Sequence, residues 1–305
     1  MIIEVENLRK SYGTVKAVNG LSFQVAAGEI FGMLGPNGAG KTTTVEIIEG
    51  LRPADLGRVS VLGMDVARVP AKVKERIGVQ LQAPSLLPLL TVQEILSLFG
   101  SFYRKSLPID EAIGLLALEE SRRVLVKNLS GGQQQRLSVA LALINDPDIT
   151  FLDEPTTGLD PQARHSLWSV IKRMRERGKT VVLTTHYMEE AEHLCERVAI
   201  IDHGQIIAQG SPRALIQNHF KETAIEFSME SPPPESVLKA LPGATHVSLE
   251  RNDVIVYSLD VAATLSSLLK YAEKVETGNR IQNLRIREAS LEDVFLKLTG
   301  RRIRE

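Results

Sequence analysis

Short, nearly continuous apolar runs alternate with longer mixed stretches through the first two thirds of the chain. Apolar runs of four or five residues, bounded by turn residues, are typical of strands buried on both faces. Such runs stand at residues 30–34, 77–81, 149–152 and 180–184. A mixed stretch such as 161–177 predicts a helix between two of them. Strand and helix in alternation predict an α/β fold whose parallel sheet is covered on both faces.

The chain before this core is predicted to open with antiparallel strands. Residues 2–8 alternate between apolar and polar side chains, and residues 21–25 and 58–61 have similar short runs. The sequence Lys10–Gly13 separates the first two and predicts a turn. An antiparallel β subdomain is therefore expected beside the parallel sheet.

A helical subdomain is predicted at about residues 83–145. Thr91 is expected to be an N-cap, because Glu94 follows it at the spacing of a capping box. Most of the residues that follow, up to 128, are expected to be helical. A further helix is predicted to begin at Leu129–Gly132 and to end near residue 145.

The pattern changes near residue 220, which predicts two domains, residues 1–218 and 221–305. The second has patterns typical of strand, helix, strand, strand, helix and strand, in that order. This is the ferredoxin-like order. Ser290 with Asp293 makes a capping-box variant before a last helix. We therefore expect a small α+β, ferredoxin-like C-terminal domain.

Composition narrows the classes of function. The 305 residues include 36 basic and 37 acidic side chains, so no basic excess favours nucleic acid as a partner. Cys195 is the single cysteine, which excludes an internal disulfide and favours a reducing, cytosolic setting. No stretch approaches the ~18 apolar residues of a membrane helix. The first six residues contain acids where a signal peptide has bases.

The strand at 30–34 leads into a phosphate-binding pattern. The residues that fit G-x-x-x-x-G-K-[ST] and its flank are Gly35, Pro36, Asn37, Gly38, Ala39, Gly40, Lys41, Thr42 and Thr43. Backbone N–H groups of such a loop and the following helix start attract phosphate oxygens. Lys41 would reach the outer phosphates, and the Thr42 hydroxyl would ligate Mg²⁺. The alternative is a glycine-rich turn with an unrelated lysine.

A second motif follows the strand at 149–152. Asp153 ends an apolar strand, where ligands of parallel sheets bind, and is expected to hold Mg²⁺. Glu154 is expected to polarise the attacking water as a base. The alternative is that both carboxylates cap the next turn.

Ser130, Gly131 and Gly132 stand at a predicted helix start and offer a second anion site. One nucleotide has only one set of phosphates. The economical arrangement is a head-to-tail dimer, in which each nucleotide lies between one P-loop and the partner's Ser-Gly-Gly. The alternative is an ordinary N-capped helix.

At these residues the chain resembles the ATP-binding subunits of ABC transporters. Leu129–Gln133 matches that family's signature motif, which is far more specific than a P-loop. The resemblance covers about residues 1–218. It implies the P-loop NTPase fold of an ABC cassette, with a mixed sheet core and β and helical subdomains. ATP and Mg²⁺ are the implied ligands, with Gln133 among the nucleotide-binding residues.

The resemblance also implies roles for single residues. Tyr12 resembles the aromatic residue that stacks on adenine, the alternative being a turn tyrosine. Gln82 resembles the Q-loop glutamine, which contacts Mg²⁺ and water, although Gln80 is close by. Asp160, in Gly158–Leu159–Asp160, resembles the D-loop of the dimer interface. His186, after the strand at 180–184, resembles the switch histidine near the γ-phosphate.

Two segments resemble the drug-resistance, daunorubicin-type branch of ABC exporters: Thr184–Glu192 and Ala289–Leu296. That branch implies a separate transmembrane permease subunit and a place at the cytoplasmic face of the membrane. The implied function is an ATPase that powers export of drugs or other amphipathic compounds. Lipid, polysaccharide, oligosaccharide or sodium export are alternatives, as are a soluble ABC ATPase acting on ribosomes or DNA and a non-enzymatic nucleotide-dependent module. For the C-terminal domain the alternatives are a regulatory role, an extension of the dimer contact, and stabilisation of the protein with no role in transport.

Overall fold

Two compact units make up the chain in this computed structural model, which describes residues 1–81, 86–274 and 280–300. The first unit is Met1–Pro212, and the second begins at Arg213. Among these described residues, no helix is both long enough and apolar enough to cross a membrane.

The strands of the first unit, in chain order, are β1 (Ile3–Tyr12), β2 (Val15–Val25), β3 (Ile30–Leu34), β4 (Leu56–Val61), β5 (Met64–Asp65), β6 (Ile77–Gln80), β7 (Ile149–Asp153), β8 (Thr180–Thr185), β9 (Arg197–Asp202) and β10 (Gln205–Gly210). Its helices are α1 (Lys41–Ile48), α2 (Pro70–Lys74), α3 (Val92–Gly100), α4 (Ile109–Leu115), α5 (Gly131–Leu143), α6 (Pro161–Glu176) and α7 (Met188–Leu194), followed by α8 (Pro212–His219) at the junction.

A mixed sheet in the order β10-β9-β3-β8-β7-β6 forms the centre of the first unit. All neighbours in it are parallel except β10, which pairs with β9 in the antiparallel sense. Every residue of β3, β7 and β8 is buried, as their continuous apolar runs predict. The carboxyl ends of these three strands therefore meet at one edge, where ligands of parallel sheets bind.

The second sheet is antiparallel, in the order β2-β1-β4-β5. Phe23 of β2 stacks on Phe31 of β3 with ring centroids 5.4 Å apart, so the two sheets share a core beside the strand that leads to the P-loop. The bounds of the turn predicted at Lys10–Gly13 are wrong, because only Gly13 of these residues lies in the turn. Tyr12 is still in β1 and pairs with Val15, so the turn is the two residues between them. The polar end of β1 is extended because β2 pairs with it, which local composition does not show.

The helical subdomain contains α3, α4 and α5. Thr91 and Glu94 form the predicted capping box at the start of α3. The segment is less helical than predicted. Beyond α3 and α4, a 3₁₀ turn at Val126–Asn128 is the further helical piece among the described residues before α5. Ala117 has a positive φ of 50° after α4, a conformation that ends a helix.

The second unit contains β11 (Thr223–Ser228), α9 (Glu235–Lys239), β12 (Ala244–Glu250), β13 (Asp253–Ser258), α10 (Val261–Lys274), β14 (Gln282–Glu288) and α11 (Leu291–Thr299). This is the predicted order of strands and helices. The strands form an antiparallel sheet in the order β12-β13-β11-β14. Ser290 and Asp293 form the predicted cap of α11. Asp293 also accepts hydrogen bonds from Tyr257 and Arg287, which fixes α11 to the sheet.

Candidate functional site

The P-loop joins β3 to α1 in a conformation that only glycine tolerates at two points. A Cβ at Gly35 would lie 2.1 Å from the carbonyl oxygen of Ile201, and one at Gly40 would lie 2.1 Å from that of Ala17. At Gly38, with φ of 80°, a Cβ would meet no atom within 4 Å. The loop is thus fixed at both ends and open at its middle, where a phosphate would approach the backbone.

Lys41 lies inside this loop and is almost completely buried. Its Nζ donates to the carbonyl oxygens of Gly35 (2.8 Å) and Pro36 (3.2 Å). It lies 3.6 Å from Oε1 of Glu154. Burial lowers the pKa of the Lys41 ammonium, and the carboxylates of Glu154 and Asp153 oppose that shift. The ammonium is therefore held by weak carbonyl partners at the place where stronger phosphate oxygens would bind it.

Asp153 ends β7 beside the first turn of α1. Thr42 Oγ1 donates to Asp153 Oδ2 at 3.1 Å, and the Thr184 hydroxyl donates to Oδ1. Burial raises the pKa of Asp153, while the hydrogen bonds from Thr184 and Thr42 oppose the rise. A hydroxyl and a carboxylate side by side form a hard oxygen donor set that fits Mg²⁺. Thr42 and Asp153 are the residues that would hold this ion.

Glu154 follows in an uncommon backbone conformation, with φ of 48°. Its N–H donates to the carbonyl oxygen of Thr184 at 3.2 Å, and Thr157 Oγ1 donates to its Oε2 at 3.3 Å. Its Oε1 lies 3.4 Å from Nδ1 of His186. The carboxylate is therefore held by protein groups on one oxygen and faces both Lys41 and His186 with the other. Strained φ values of this kind persist where surrounding contacts over-determine them.

The structure thus brings five predicted residues into one cluster: Lys41, Thr42, Asp153, Glu154 and His186. They come from α1 and from the ends of β7 and β8. Their chemistry is an ammonium, a hard-donor pair and a carboxylate next to an imidazole. Such a set can bind a magnesium-bound triphosphate and orient a water molecule.

The predicted second anion site lies elsewhere in the same unit. Ser130 caps α5: its Oγ accepts from the Gln133 N–H at 3.3 Å, and its own N–H donates to Gln133 Oε1 at 2.9 Å. Ser130 is therefore an N-cap, as the alternative interpretation of this residue predicts. Ser130, Gly131, Gly132 and Asp160 line a cleft of about 500 Å³ whose lining includes none of the P-loop residues. The helix start there still favours an anion.

Asp160 is the N-cap of α6, accepting from the Ala163 N–H at 2.9 Å. Tyr12 is half-exposed on β1, with the Arg52 guanidinium 5.4 Å from its ring centroid. The stacking role of Tyr12 stays a prediction. Gln82 lies outside the described residues.

Two further residues contact Asp153: Gln80, which the sequence offers only as a neighbour of Gln82, and Thr184, which sequence reasoning missed. Gln80 is buried at the end of β6, and its Nε2 donates to the Asp153 carbonyl oxygen at 3.4 Å. Thr184 bonds the Asp153 carboxylate and is paired with Asp153 in the β7–β8 register. The parallel pairing of two predicted strands is the signal that points to Thr184.

Known proteins are similar to this chain in sequence and in fold. The family model described as ABC transporter matches residues 18–157. The Nod factor export ATP-binding protein I of Burkholderia lata is 41% identical over 309 residues, 99% of this chain and 98% of that one. The protein of the same name from Ralstonia nicotianae is 42% identical over 316 residues, 100% of this chain and 95% of that one. This chain belongs to the ATP-binding proteins of ABC transporters.

A solved structure extends the likeness to the fold. A dimeric ATP-binding cassette in a post-hydrolysis state, bound to ADP and phosphate, has a TM-score of 0.63 and 29% identity, covering 68% of this chain and 98% of that one. The ABC cassette fold is thereby confirmed. Cassettes of this family are ATPases that bind ATP with Mg²⁺, dimerise and work with transmembrane components. The open Gly38 backbone and the Thr42–Asp153 pair fit both ligands.

Proposed function

We propose that this ABC ATPase drives export of an oligosaccharide-type compound through separate transmembrane subunits. The relatives that match nearly the whole chain at 41–42% identity are named for Nod factor export. This favours the oligosaccharide alternative over drug export, the reading expected first from the sequence. The likeness includes the C-terminal unit, because the matches span 99–100% of the chain.

The observation that carries the chemical part of the proposal is the position of the Glu154 carboxylate. It lies 3.6 Å from the Lys41 ammonium and 3.4 Å from the His186 imidazole. Lys41 neutralises phosphate charge, and Glu154 orients and deprotonates the attacking water. His186 positions the γ-phosphate and this water. Gln82 is proposed to assist with the water and with Mg²⁺. Thr42 and Asp153 would hold Mg²⁺, which would supply neutralisation of phosphate charge.

The second copy of the chain completes the proposed site. The cleft at Ser130–Gly132 and Asp160 offers backbone N–H groups and a hydroxyl, as a phosphate requires, yet its lining is separate from the P-loop. A head-to-tail dimer would place each such cleft, with Gln133, over the partner's nucleotide. Closure then depends on ATP, because the ligand is shared between the two surfaces.

A membrane subunit is the other proposed partner, at the cytoplasmic face. The proposed contact region for it is residues 83–103, and in the described part of that region Leu87, Leu89 and Phe102 are 45, 70 and 69% exposed. A bound membrane subunit would cover these exposed apolar side chains. The chain has no excess of basic residues that would favour ribosomes or DNA as partners. The contact between Glu154 and His186 favours an enzyme over a non-enzymatic nucleotide-dependent module.

Reconstitution with its membrane subunits in vesicles tests the proposed cargo. We expect an amphipathic oligosaccharide to stimulate ATP hydrolysis and to be transported, and a cationic amphipathic drug to do neither. Stimulation and transport by the drug alone would overturn the oligosaccharide assignment. A Glu154→Gln complex is the control, since it separates cargo binding from coupled turnover.

A further inference from the structure

The Nδ1 atom of His186 accepts or donates no hydrogen bond among the residues that the structure describes. Its side chain is only 10% exposed, and its Nδ1 lies 3.4 Å from Glu154 Oε1. That contact is not aligned as a hydrogen bond, and Nδ1 has no other partner among the described residues. Imidazoles that act on a substrate are normally oriented by a second group. Contacts of the ring itself therefore bear on the direction of this imidazole.

Tyr187 contacts the imidazole directly. The two ring centroids are 4.1 Å apart, with an interplanar angle of 40°. The Tyr187 N–H donates to Thr185 Oγ1 at 3.0 Å, so the backbone of Tyr187 is tied to the end of β8. Aromatic rings in contact prefer a limited set of relative orientations, so Tyr187 restricts the orientation of the imidazole.

Arg164 of α6 holds the tyrosine from a different element. Its guanidinium carbon lies 4.7 Å from the Tyr187 ring centroid, within the range of a cation–π interaction. Arg164 lies in the first turns of α6, the helix whose N-cap is Asp160. The contact therefore joins the helix after the predicted D-loop to the segment that carries His186.

A buried hydrogen bond also joins α6 to α7, the helix that follows Tyr187. Trp168 Nε1 donates to Glu190 Oε1 at 3.1 Å, and both side chains are buried. Trp168 follows Arg164 by one helical turn, so both lie on the same face of α6. Glu190 belongs to α7, which begins directly after Tyr187. The relative position of α6 and Tyr187 is thus set by two independent contacts.

We propose that Tyr187 and Arg164 are positioning residues of the ATPase site. Tyr187 orients the His186 imidazole by ring contact, and Arg164 holds Tyr187 in place. Neither residue touches the proposed substrate, and each acts through His186. The inference rests on the proposed role of His186 and adds the groups that make this role possible.

Four variants in the nucleotide-driven ATPase assay test the inference. Tyr187→Ala is expected to lower kcat about 10–100-fold, the range that a ring misplaced by about 1 Å produces. Tyr187→Phe keeps the ring and is expected to stay within about twofold of the wild type. Arg164→Ala is expected to lower kcat about fivefold, and Arg164→Lys to recover part of that loss because it keeps a cation over the ring. KM for ATP should change less than about twofold in each, since both residues are proposed to act on turnover through His186 and not on ATP binding.

Arg175→Ala is the matched control. Arg175 is on the same helix, but it pairs with Glu196 at 2.9 Å on the surface. Its removal should leave kcat and KM unchanged, because exposed ion pairs contribute little. Where Tyr187→Ala does not fold, Tyr187→Leu and the Arg164 pair make the same test.

The combination with His186→Ala separates this inference from the proposed function. His186→Ala alone should abolish most turnover, and a wild-type rate in that variant would overturn the role of His186 itself. If His186→Ala is inactive but Tyr187→Ala and Arg164→Ala turn over normally, the positioning role is wrong. In the His186→Ala background, adding Tyr187→Ala should lower the residual rate no further, because both substitutions remove the same contribution, that of a correctly oriented imidazole. A further loss of equal size there would show that Tyr187 acts independently of His186.

Discussion

Glu49, at the end of α1, is a carboxylate that destabilises the folded state as pH rises. It is only 2% exposed, and its Oε2 has no hydrogen-bond partner among the described residues. Burial raises the pKa of Glu49 from 4.5 to about 8, with the nearby charges of Asp153 and Glu46 adding to the rise and Lys74 opposing it. Glu49→Gln keeps the shape and removes the ionisation.

The magnitude follows from linkage. Below pH 4.5 the group is protonated in both the folded and the unfolded chain, so it contributes no pH dependence. Between pH 4.5 and about 8 only the unfolded chain releases the proton, so the free energy of unfolding falls. At about 1.4 kcal/mol per pH unit, the full loss above pH 8 is at most about 5 kcal/mol. Glu49→Gln should therefore be more stable than the wild type by roughly 3–5 kcal/mol at pH 9 and by under ~1 kcal/mol at pH 5.

Thermal unfolding of the nucleotide-free protein in EDTA, from pH 5 to 9, measures this difference. At pH 9 the midpoint of thermal unfolding should be roughly 10 °C higher for Glu49→Gln than for the wild type. Glu75→Gln, at an exposed carboxylate directly after α2, is the control and should stay within about 0.5 kcal/mol of the wild type at every pH. A Glu49→Gln advantage that is the same at pH 5 and pH 9 would refute the reasoning, because the effect would then not come from ionisation.

Two further predictions concern contacts near and away from the site. Arg52→Ala should raise KM for ATP about three- to tenfold with little change in kcat. The reason is that Arg52, which Glu46 holds at 2.6 Å, supports the exposed ring of Tyr12. An unchanged KM in steady-state kinetics would contradict this prediction. Trp168→Phe should lower the free energy of unfolding by about 1–3 kcal/mol, since it removes the indole N–H that donates to the buried Glu190 carboxylate; chemical denaturation that shows no loss would contradict this.

The sheet and the helix starts are predictable because the sequence determines them locally. The apolar runs of β3, β7 and β8 are fully buried strands, as their composition indicates. Thr91 and Ser130 sit three residues before a side chain that can complete a capping box, and both boxes form. Patterns of this kind depend on neighbours along the chain and need no knowledge of the fold.

What the sequence does not show is set by tertiary pairing. Lys10 to Tyr12 has the composition of a turn, yet strand pairing with β2 and the contacts of Lys10 and Ser11 with Asp55 hold it extended. Glu49 looks like an ordinary helix-end carboxylate, and only packing buries it. In the site, the motifs predict which residues matter. The contacts of Glu154 with Lys41 and His186 depend on how three strand ends meet.

ATP-dependent dimerisation of Glu154→Gln tests the central claim most directly. Purified wild-type and variant chains with ATP and Mg²⁺ would be followed by phosphate release and by light scattering. We expect the wild type to turn over ATP, and we expect the variant to bind ATP, release no phosphate and accumulate as a dimer. A variant that hydrolyses ATP at the wild-type rate, or that stays monomeric with ATP bound, would contradict the account.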